Sequence, residues 1–429
     1  MAQSRGGGVN RRPTNWAGNV TFNADRVETP TSVEHLQELV SRCDRVRALG
    51  SGHSFSDIAD TPGVPVSLAD LPQRVEIDAE RSTATASAGI RYTELCQHLH
   101  ANGYALHNLG SLPHISVAGS CATATHGSGD GNGNLATAVS AIEMVTADGS
   151  LVTLSRAADG DLFDGVVVGL GSLGIVTSLT LDAQPTFDVE QYVYEGLSFD
   201  RLVASVNEIF AAAYSVSAFT GWRSSGVDQV WVKRRTDDLR HPAATFSGAT
   251  PADAARNPVP GMPADNCTEQ LGVPGPWYER LPHYRPDFTP SSGDELQSEY
   301  MVPRRHAVDA LEAVRRIGDR VAPVLQISEL RTIASDRLWL SPSYHRDVLG
   351  IHFTWVDDMD AVLPVVALVE EALAPFDAAP HWGKVSTTPV DVVRALYPRL
   401  GEFQDLVRTH DPDGKFRNAF VDRYLLDDR

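Results

Sequence analysis

No stretch of this chain approaches the roughly 18 consecutive apolar residues of a membrane-spanning helix, so no span is expected. The N-terminal MAQSRGGGVNRRPTNW carries arginines with no apolar segment behind them, so no secretory signal is expected either. Cysteine is scarce. Cys43, Cys96, Cys121 and Cys267 are scattered, without a CxxC pair or metal-ligand spacing. They read as buried thiols in a reducing cytoplasm, and no metal is expected. Asn19-Val-Thr21 and Asn266-Cys-Thr268 fit the glycosylation sequon, which carries no weight without secretion. Basic residues are outnumbered: 36 Lys and Arg face 55 Asp and Glu, a formal net charge of −19. That balance argues against nucleic acid or an anionic membrane as partner, since both need a basic face. A solenoid-type repeat is also missing.

What remains is an ordinary globular composition, 42% hydrophobic and 21% charged, with 429 residues to divide between two domains. The chain is organised around Arg47-Ala-Leu-Gly-Ser-Gly-His-Ser-Phe55. An apolar strand runs into Gly50-Ser51-Gly52. Two glycines without Cβ let the backbone turn sharply beside a ligand, with N–H groups free to meet phosphate oxygens. His53, next to the turn, is positioned to touch whatever the loop holds. A second stretch, Asn108 to Gly129, is dominated by small and hydroxylated residues. Its interleaved Leu, Ile and Val speak against a flexible linker, so it reads as backbone packed closely against something flat.

Around these lie conventional elements. Thr31-Ser-Val-Glu34 resembles a capping box opening a helix, and VSLAD, VEIDAE and TATASAG read as short strands. Asn102-Gly103 closes a helix over Thr93–His100. IEMVTADGSLVTLSR is a hairpin turning at Asp148-Gly149. A helix through LFDGVVVGL and the strand IVTSLTLDAQP end the first domain near residue 183. Beyond it, FDRLVASVNEIFAAAY reads as one helix, QVWVKRR as a strand and residues 250–297 as a long Pro- and Gly-rich excursion. The helices HAVDALEAVRRIGDRV and DAVLPVVALVEEAL flank the strands VLQISELRTI and LGIHFTWV.

Two motifs mislead. Gly169-Leu-Gly-Ser-Leu-Gly174 fits G-x-G-x-x-G, but a helix precedes it and a strand follows, the reverse of the Rossmann arrangement. Asp130-Gly-Asn-Gly-Asn134 begins like a calcium loop, yet Leu135 stands where the turn glycine belongs and Ala141 where the bidentate Glu belongs.

The second domain carries a polar constellation. Glu329 and Arg331 are two residues apart in an apolar strand and share a face. Alone they would read as an ion pair at a domain edge. His352 and Thr354 share a face of the next strand, and Pro380-His-Trp-Gly-Lys384 adds an isolated lysine. A carboxylate, guanidinium, hydroxyl and ammonium on neighbouring strands suit several sugar-like hydroxyls, and the cations can stabilise developing negative charge.

With these segments assembled, the chain resembles the alditol oxidases (xylitol or sorbitol oxidases) of the vanillyl-alcohol-oxidase superfamily. The likeness runs from Asn15-Trp-Ala-Gly-Asn19 to Asp411-Pro-Asp-Gly-Lys-Phe-Arg-Asn418, with GSGHSF, SLPHISVAGS, THGSG, NPVPGMP, NCTEQ, GVPGPW, SELRT and HWGK in register. GSGH and HWGK also occur in the sister aldonolactone oxidases. Glu-Leu-Arg, Thr354 and the Pro-rich excursion point to alditol oxidases.

The resemblance implies an α+β fold: a two-lobed FAD-binding domain over 13–183, an α+β substrate (cap) domain over 184–400, and a segment, 401–429, returning to the FAD domain. It implies FAD attached covalently through His53 and contacted by Gly50, Ser51, Gly52, Ser54, Phe55, Gly110, Ser111, Ser116, Gly119, Ser120, Thr123, His126, Gly127, Ile175 and Asn418. Ser111, Glu329, Arg331, Thr354 and Lys384 would hold a polyol, with Glu329, Arg331 and Lys384 catalytic. The proton acceptor stays open between Arg331 and Lys384. Gly110 stands where the family often has alanine, which would keep a path open for oxygen. The implied activity is oxidation of a terminal alditol alcohol to the aldose with release of hydrogen peroxide. The alternative is an aldonolactone oxidase or dehydrogenase with the same cofactor.

Overall fold

In the computed structural model, residues 12–223, 226–239, 245–287 and 294–426 are described. The first eleven residues, on which the signal-peptide expectation chiefly rests, and residues 288–293 of the excursion lie outside them. Among the described residues no helix is long and apolar enough to cross a membrane.

The first lobe is small. Strand Val46–Ala48 pairs in parallel with Val64–Val66, and helix Val33–Arg42 packs Leu36 and Val40 against Val46, Val66 and Phe416. The helix cap falls one residue later than expected. Ser32 Oγ accepts from the His35 amide at 3.1 Å, and since a histidine occupies the position of the reciprocal glutamate, no box forms. The strand expected at VSLAD lies slightly earlier, at Val64–Val66.

The second lobe is a five-stranded antiparallel sheet in the order Val75–Asp78, Thr83–Ser87, Ile175–Asp182, Val139–Val145, Leu151–Ser155. Its hairpin turns where expected, with Gly149 at φ +85°. Arg47 joins the two lobes. It is fully buried, and its guanidinium donates to the carbonyls of Ile58, Leu170, Gly171 and Phe416 at 2.6–3.3 Å.

The cap is a nine-stranded sheet among the described residues. At its centre Ser215–Thr220, Leu325–Ile333, Val348–Val356 and Glu295–Pro303 lie side by side, antiparallel. Helices Ala307–Arg316 and Met359–Leu373 bury Leu311, Val314, Val362, Val366 and Val369 against one face, leaving the other face toward the first two lobes. The helix expected over FDRLVASVNEIFAAAY is two short ones, Phe199–Ala204 and Val206–Phe210. Ser205 (φ −136°, ψ 32°) leaves helical geometry between them, as serine is prone to do.

The return to the first domain begins before residue 401. The last cap strand is Ala379–Pro380. Trp382, Val393, Tyr397 and Phe403 already belong to the apolar core that contains Leu95, Leu99 and Leu170.

Candidate active site

The glycine turn is held from three sides. Gly52 adopts φ +66°, and its carbonyl accepts from Trp16 N at 2.7 Å. Asn15 and Asn19 side chains donate to the Ser54 and Phe55 carbonyls, both at 2.9 Å. The indole of Trp16 lies 4.5 Å from the His53 ring. From the cap side, Phe55 N donates to Gly383 O at 2.7 Å and Ser56 Oγ to Trp382 O at 2.9 Å. Thus Pro380-His-Trp-Gly-Lys384 is seated directly on the His53 loop. The small-residue stretch packs just as closely. A Cβ on Gly50 would come within 2.5 Å of Ser116 Oγ, and one on Gly119 within 2.7 Å.

Gly50, Ser51, Gly52, His53, Ser54, Phe55, Gly110, Ser111, Ser116, Gly119, Ser120, Thr123 and His126 line one cavity with Glu329, Arg331, Thr354 and Lys384. A second cavity shares Gly50, Ser51, Ser116 and Gly119 with it, so the two meet beneath the glycine turn. Walls of glycine and hydroxylated residues let a backbone come close to a ligand and leave N–H and O–H groups to meet a dinucleotide's phosphates and flat ring. The loop Gly169–Gly174, rejected as a Rossmann fingerprint, lies between a helix and a strand as expected and still contributes Gly169, Gly171, Leu173 and Gly174 to the second cavity.

Three expected residues line neither cavity. Gly127 is pressed against the Leu109 carbonyl, 2.3 Å from where its Cβ would stand. Ile175 is buried in the apolar cluster with Val145 and Val46. Asn418 caps the helix Ala419–Tyr424, and its amide nitrogen is committed to the Ile58 and Asp60 carbonyls.

The expected shared face of Glu329 and Arg331 is present, but its centre is a residue the sequence reading missed. Glu299, 1% exposed on strand Glu295–Pro303, pairs in register with His352, which pairs in turn with Glu329. Glu299 Oε1 lies 2.8 Å from Arg331 Nη2 and 3.3 Å from His126 Nε2, and Oε2 lies 2.7 Å from Lys384 Nζ. Gly350 makes the first contact possible. It lies between Met301 and Arg331 on the middle strand, where a Cβ would press within 3.3 Å of Glu299 Oε1.

The remaining bonds close the network. Arg331 Nη1 reaches Ser111 Oγ at 3.4 Å, and Arg331 Nε lies 3.6 Å from Glu329 Oε1. Lys384 Nζ meets His352 Nδ1 at 2.7 Å, and His352 Nε2 meets Thr354 Oγ1 at 3.1 Å. His283 Nε2 meets Glu329 Oε1 at 2.7 Å.

Burial would raise both carboxyl pKa values, but neighbouring side chains overrule it. Lys384, His126 and Arg331 hold Glu299 well below the usual range, and Arg331 with His283 does the same for Glu329. Burial opposes the charge on Arg331, yet Glu329 and Glu299 outweigh it and raise its pKa. For Lys384 burial prevails over Glu299, and the pKa is lowered. Burial and the Lys384 charge push His352 and His53 down to about 4, so both rings are neutral near pH 7. His126, Glu299 and His381 offer ligand atoms within 4.8 Å of one another. Both Glu299 oxygens already face a cationic side chain.

Glu299 had a signal in the sequence. Leu296, Ser298, Tyr300 and Val302 alternate with Gln297, Glu299 and Met301, a two-residue period hidden by drawing the irregular excursion out to residue 297.

The cavity geometry now has counterparts. The FAD-binding-domain family matches residues 24–155, and the D-arabinono-1,4-lactone oxidase family matches residues 294–424. A solved cholesterol oxidase from B. sterolicum superposes with a TM-score of 0.76 at 14% identity, covering 97% of this chain and 96% of that one. Fold and cavity together define an FAD-binding flavoprotein of the vanillyl-alcohol-oxidase type. Among curated relatives, an L-gulono-1,4-lactone dehydrogenase of Mycobacterium tuberculosis is 27% identical over 96% of this chain and 98% of its own length. An alditol oxidase of a Streptomyces species is 54% identical over 418 residues, 96% of this chain and 99% of the relative. The chain belongs to the alditol oxidase family.

If Glu299 balances the buried cations, Glu299→Gln should cost about 3–5 kcal/mol of stability, because it strips the counterion from a buried pair. Guanidinium unfolding of the flavin-loaded protein measures this. A loss below about 1 kcal/mol, the range of exposed pairs, would contradict it.

Proposed function

We propose that this protein oxidises the terminal primary alcohol of alditols such as xylitol and sorbitol to the aldose, with FAD attached covalently through His53 and oxygen reduced to hydrogen peroxide. The observation that carries the reading is convergence. Ser111, Glu329, Arg331, Thr354 and Lys384 open onto the cavity that His53 lines, in a chain of the alditol oxidase family. Peroxide release should follow addition of xylitol or sorbitol and exceed that with a γ-lactone of the same carbon number. Preference for the lactone would favour the aldonolactone alternative, to which the match over residues 294–424 lends some support.

Bound FAD supplies a two-electron acceptor for the alcohol carbon and hands the electrons to oxygen. Everything else falls to the chain. In our reading the glycine turn and the stretch from Gly110 to His126 hold the cofactor, and the cap strands orient the polyol. Glu329 accepts from substrate hydroxyls while Thr354 and Ser111 exchange hydrogen bonds with others. Arg331, kept charged by two carboxylates, steadies negative charge developing nearby. Space at Gly110 supports access of oxygen: a Cβ there would find no neighbour nearer than 3.8 Å. A cytoplasmic setting is supported by four free thiols, three of them buried.

His53 is neutral near pH 7 and therefore has a free ring nitrogen for a carbon–nitrogen bond to the flavin. Acid precipitation of the protein should carry the yellow colour into the pellet, and His53→Ala should release it. Colour wholly in the wild-type supernatant would defeat the covalent linkage.

The alcohol proton must also be accepted. Arg331, with its raised pKa, is unsuited, so we assign the role to neutral Lys384, whose proton-holding power burial weakens. The neutral fraction of a lysine grows as pH rises. The rate of flavin reduction should therefore climb with pH along a limb centred below the ordinary lysine value of about 10.4. Stopped-flow reduction by xylitol across pH checks it. A limb that persists in Lys384→Met would exclude Lys384.

A further inference from the structure

One buried lysine takes no part in the scheme above. Lys233 is 1% exposed on cap strand Val227–Arg235. Its Nζ faces the carbonyls of Arg280, Leu281 and Pro282 at 2.8, 2.6 and 2.9 Å and His283 Nδ1 at 3.1 Å. Acceptors of the Pro-rich excursion thus surround it, and its hydrogens bind that segment to the sheet. We propose that Lys233 is a positioning residue for polyol recognition, acting through His283 to present Glu329 to substrate with one carboxylate oxygen occupied and the other free. The proposal rests on the polyol reading of the cavity.

The direction of the relay follows from proton counting. Glu329 is ionised and can only accept, so the 2.7 Å contact requires a hydrogen on His283 Nε2. A second hydrogen on Nδ1 would make an imidazolium, which burial and the Lys233 charge oppose by lowering the His283 pKa to about 4. Nδ1 therefore carries a lone pair turned toward Lys233, whose three hydrogens are shared among this nitrogen and the three carbonyls. The groups facing this ring are Lys233 on one strand, Glu329 and Arg331 on another, and the aromatic edges of Phe219 and Trp231, with ring centroids 5.5 and 5.1 Å away. Those two rings pack against the imidazole and restrict its movement.

The consequence falls on substrate. Glu329 Oε1 is taken by His283 and approached by Arg331 at 3.6 Å, while among the described residues no hydrogen bond reaches Oε2. Oε2 is left for a hydroxyl in the cavity that Glu329 lines. The same clamped segment also grips the opposite wall. His283 N and Tyr284 N both donate to Ser111 O, at 3.2 and 3.3 Å. Lys233 thereby sets two polyol-facing residues that lie 218 positions apart in the chain (111 and 329).

The test is a double-mutant cycle on FAD-loaded enzyme with xylitol, using Lys233→Met, His283→Phe and the pair. Stopped-flow flavin reduction separates xylitol affinity from the limiting reduction rate. Each single change should raise the xylitol dissociation constant roughly 10-fold, the worth of one charge-assisted hydrogen bond, with the limiting rate within about threefold of wild type. The double variant should be no worse than the larger single, because both break one relay. If Lys233→Met does not accumulate with flavin, His283→Phe decides the matter, since it leaves Lys233 on its three carbonyls. An independent readout needs no turnover. In ¹⁵N-histidine spectra the resonance lost in His283→Phe should report the Nε2–H tautomer in wild type. Unchanged xylitol affinity in His283→Phe, additive effects, or an Nδ1–H tautomer would each overturn the proposal. Wild-type flavin that no polyol reduces would instead sink the polyol reading itself.

Discussion

A carboxylate buried among cations is the constraint on which the site depends. Glu299 cannot be solvated at 1% exposure, and an unpaired charge there would be prohibitive. Its partners come from three separate parts of the chain. His126 arrives on the small-residue stretch of the first domain, Arg331 on a neighbouring cap strand and Lys384 on the segment leaving the cap. Arg331 and Lys384 cannot shift without leaving the Glu299 charge uncompensated, and His126 brings the small-residue stretch up to the same carboxylate at 3.3 Å. Glu329 is held on a smaller scale, between the Arg331 guanidinium and the Nε2–H of neutral His283.

The main-chain seams reinforce it. The Gly383 and Trp382 carbonyls accept from the His53 loop, His381 N and Val385 N donate to the Glu299 and Gln297 carbonyls, and Trp382 stacks on Tyr397 with ring centroids 4.7 Å apart. Five residues therefore touch the first lobe, the cap sheet and the returning helices at once. Such a seam favours a rigid cavity over a hinged one.

Much of this was legible because strand periodicity is simple. Glu329 and Arg331, or His352 and Thr354, must share a face whatever the tertiary context, and the glycine turn marks close approach of backbone and ligand. The motif resemblance supplied the family. What escaped depended on distant partners. Glu299 shows a strand period, yet its role emerges only when the register puts His352 beside it. Arg47 adjoins the motif yet gives no hint that its partners are carbonyls as remote as Phe416. Lys233 was hidden inside an apolar strand that read as structural. Ile175, Gly127 and Asn418 were expected from the motif, and in the structure their side chains or Cβ positions face packing or capping partners instead of the two cavities.

Arg47 has a temporal corollary. A ribosome makes the glycine turn early, but the Phe416 carbonyl that Arg47 needs, the Asn418 amide that ties down residues 57–60 and the Lys384 ammonium all emerge more than three hundred residues later. The nascent nucleotide lobe therefore carries a buried guanidinium without its full set of acceptors and cannot complete itself. Contacts of such long sequence separation also imply slow folding, with the cavity complete only once residues 384–418 are in place.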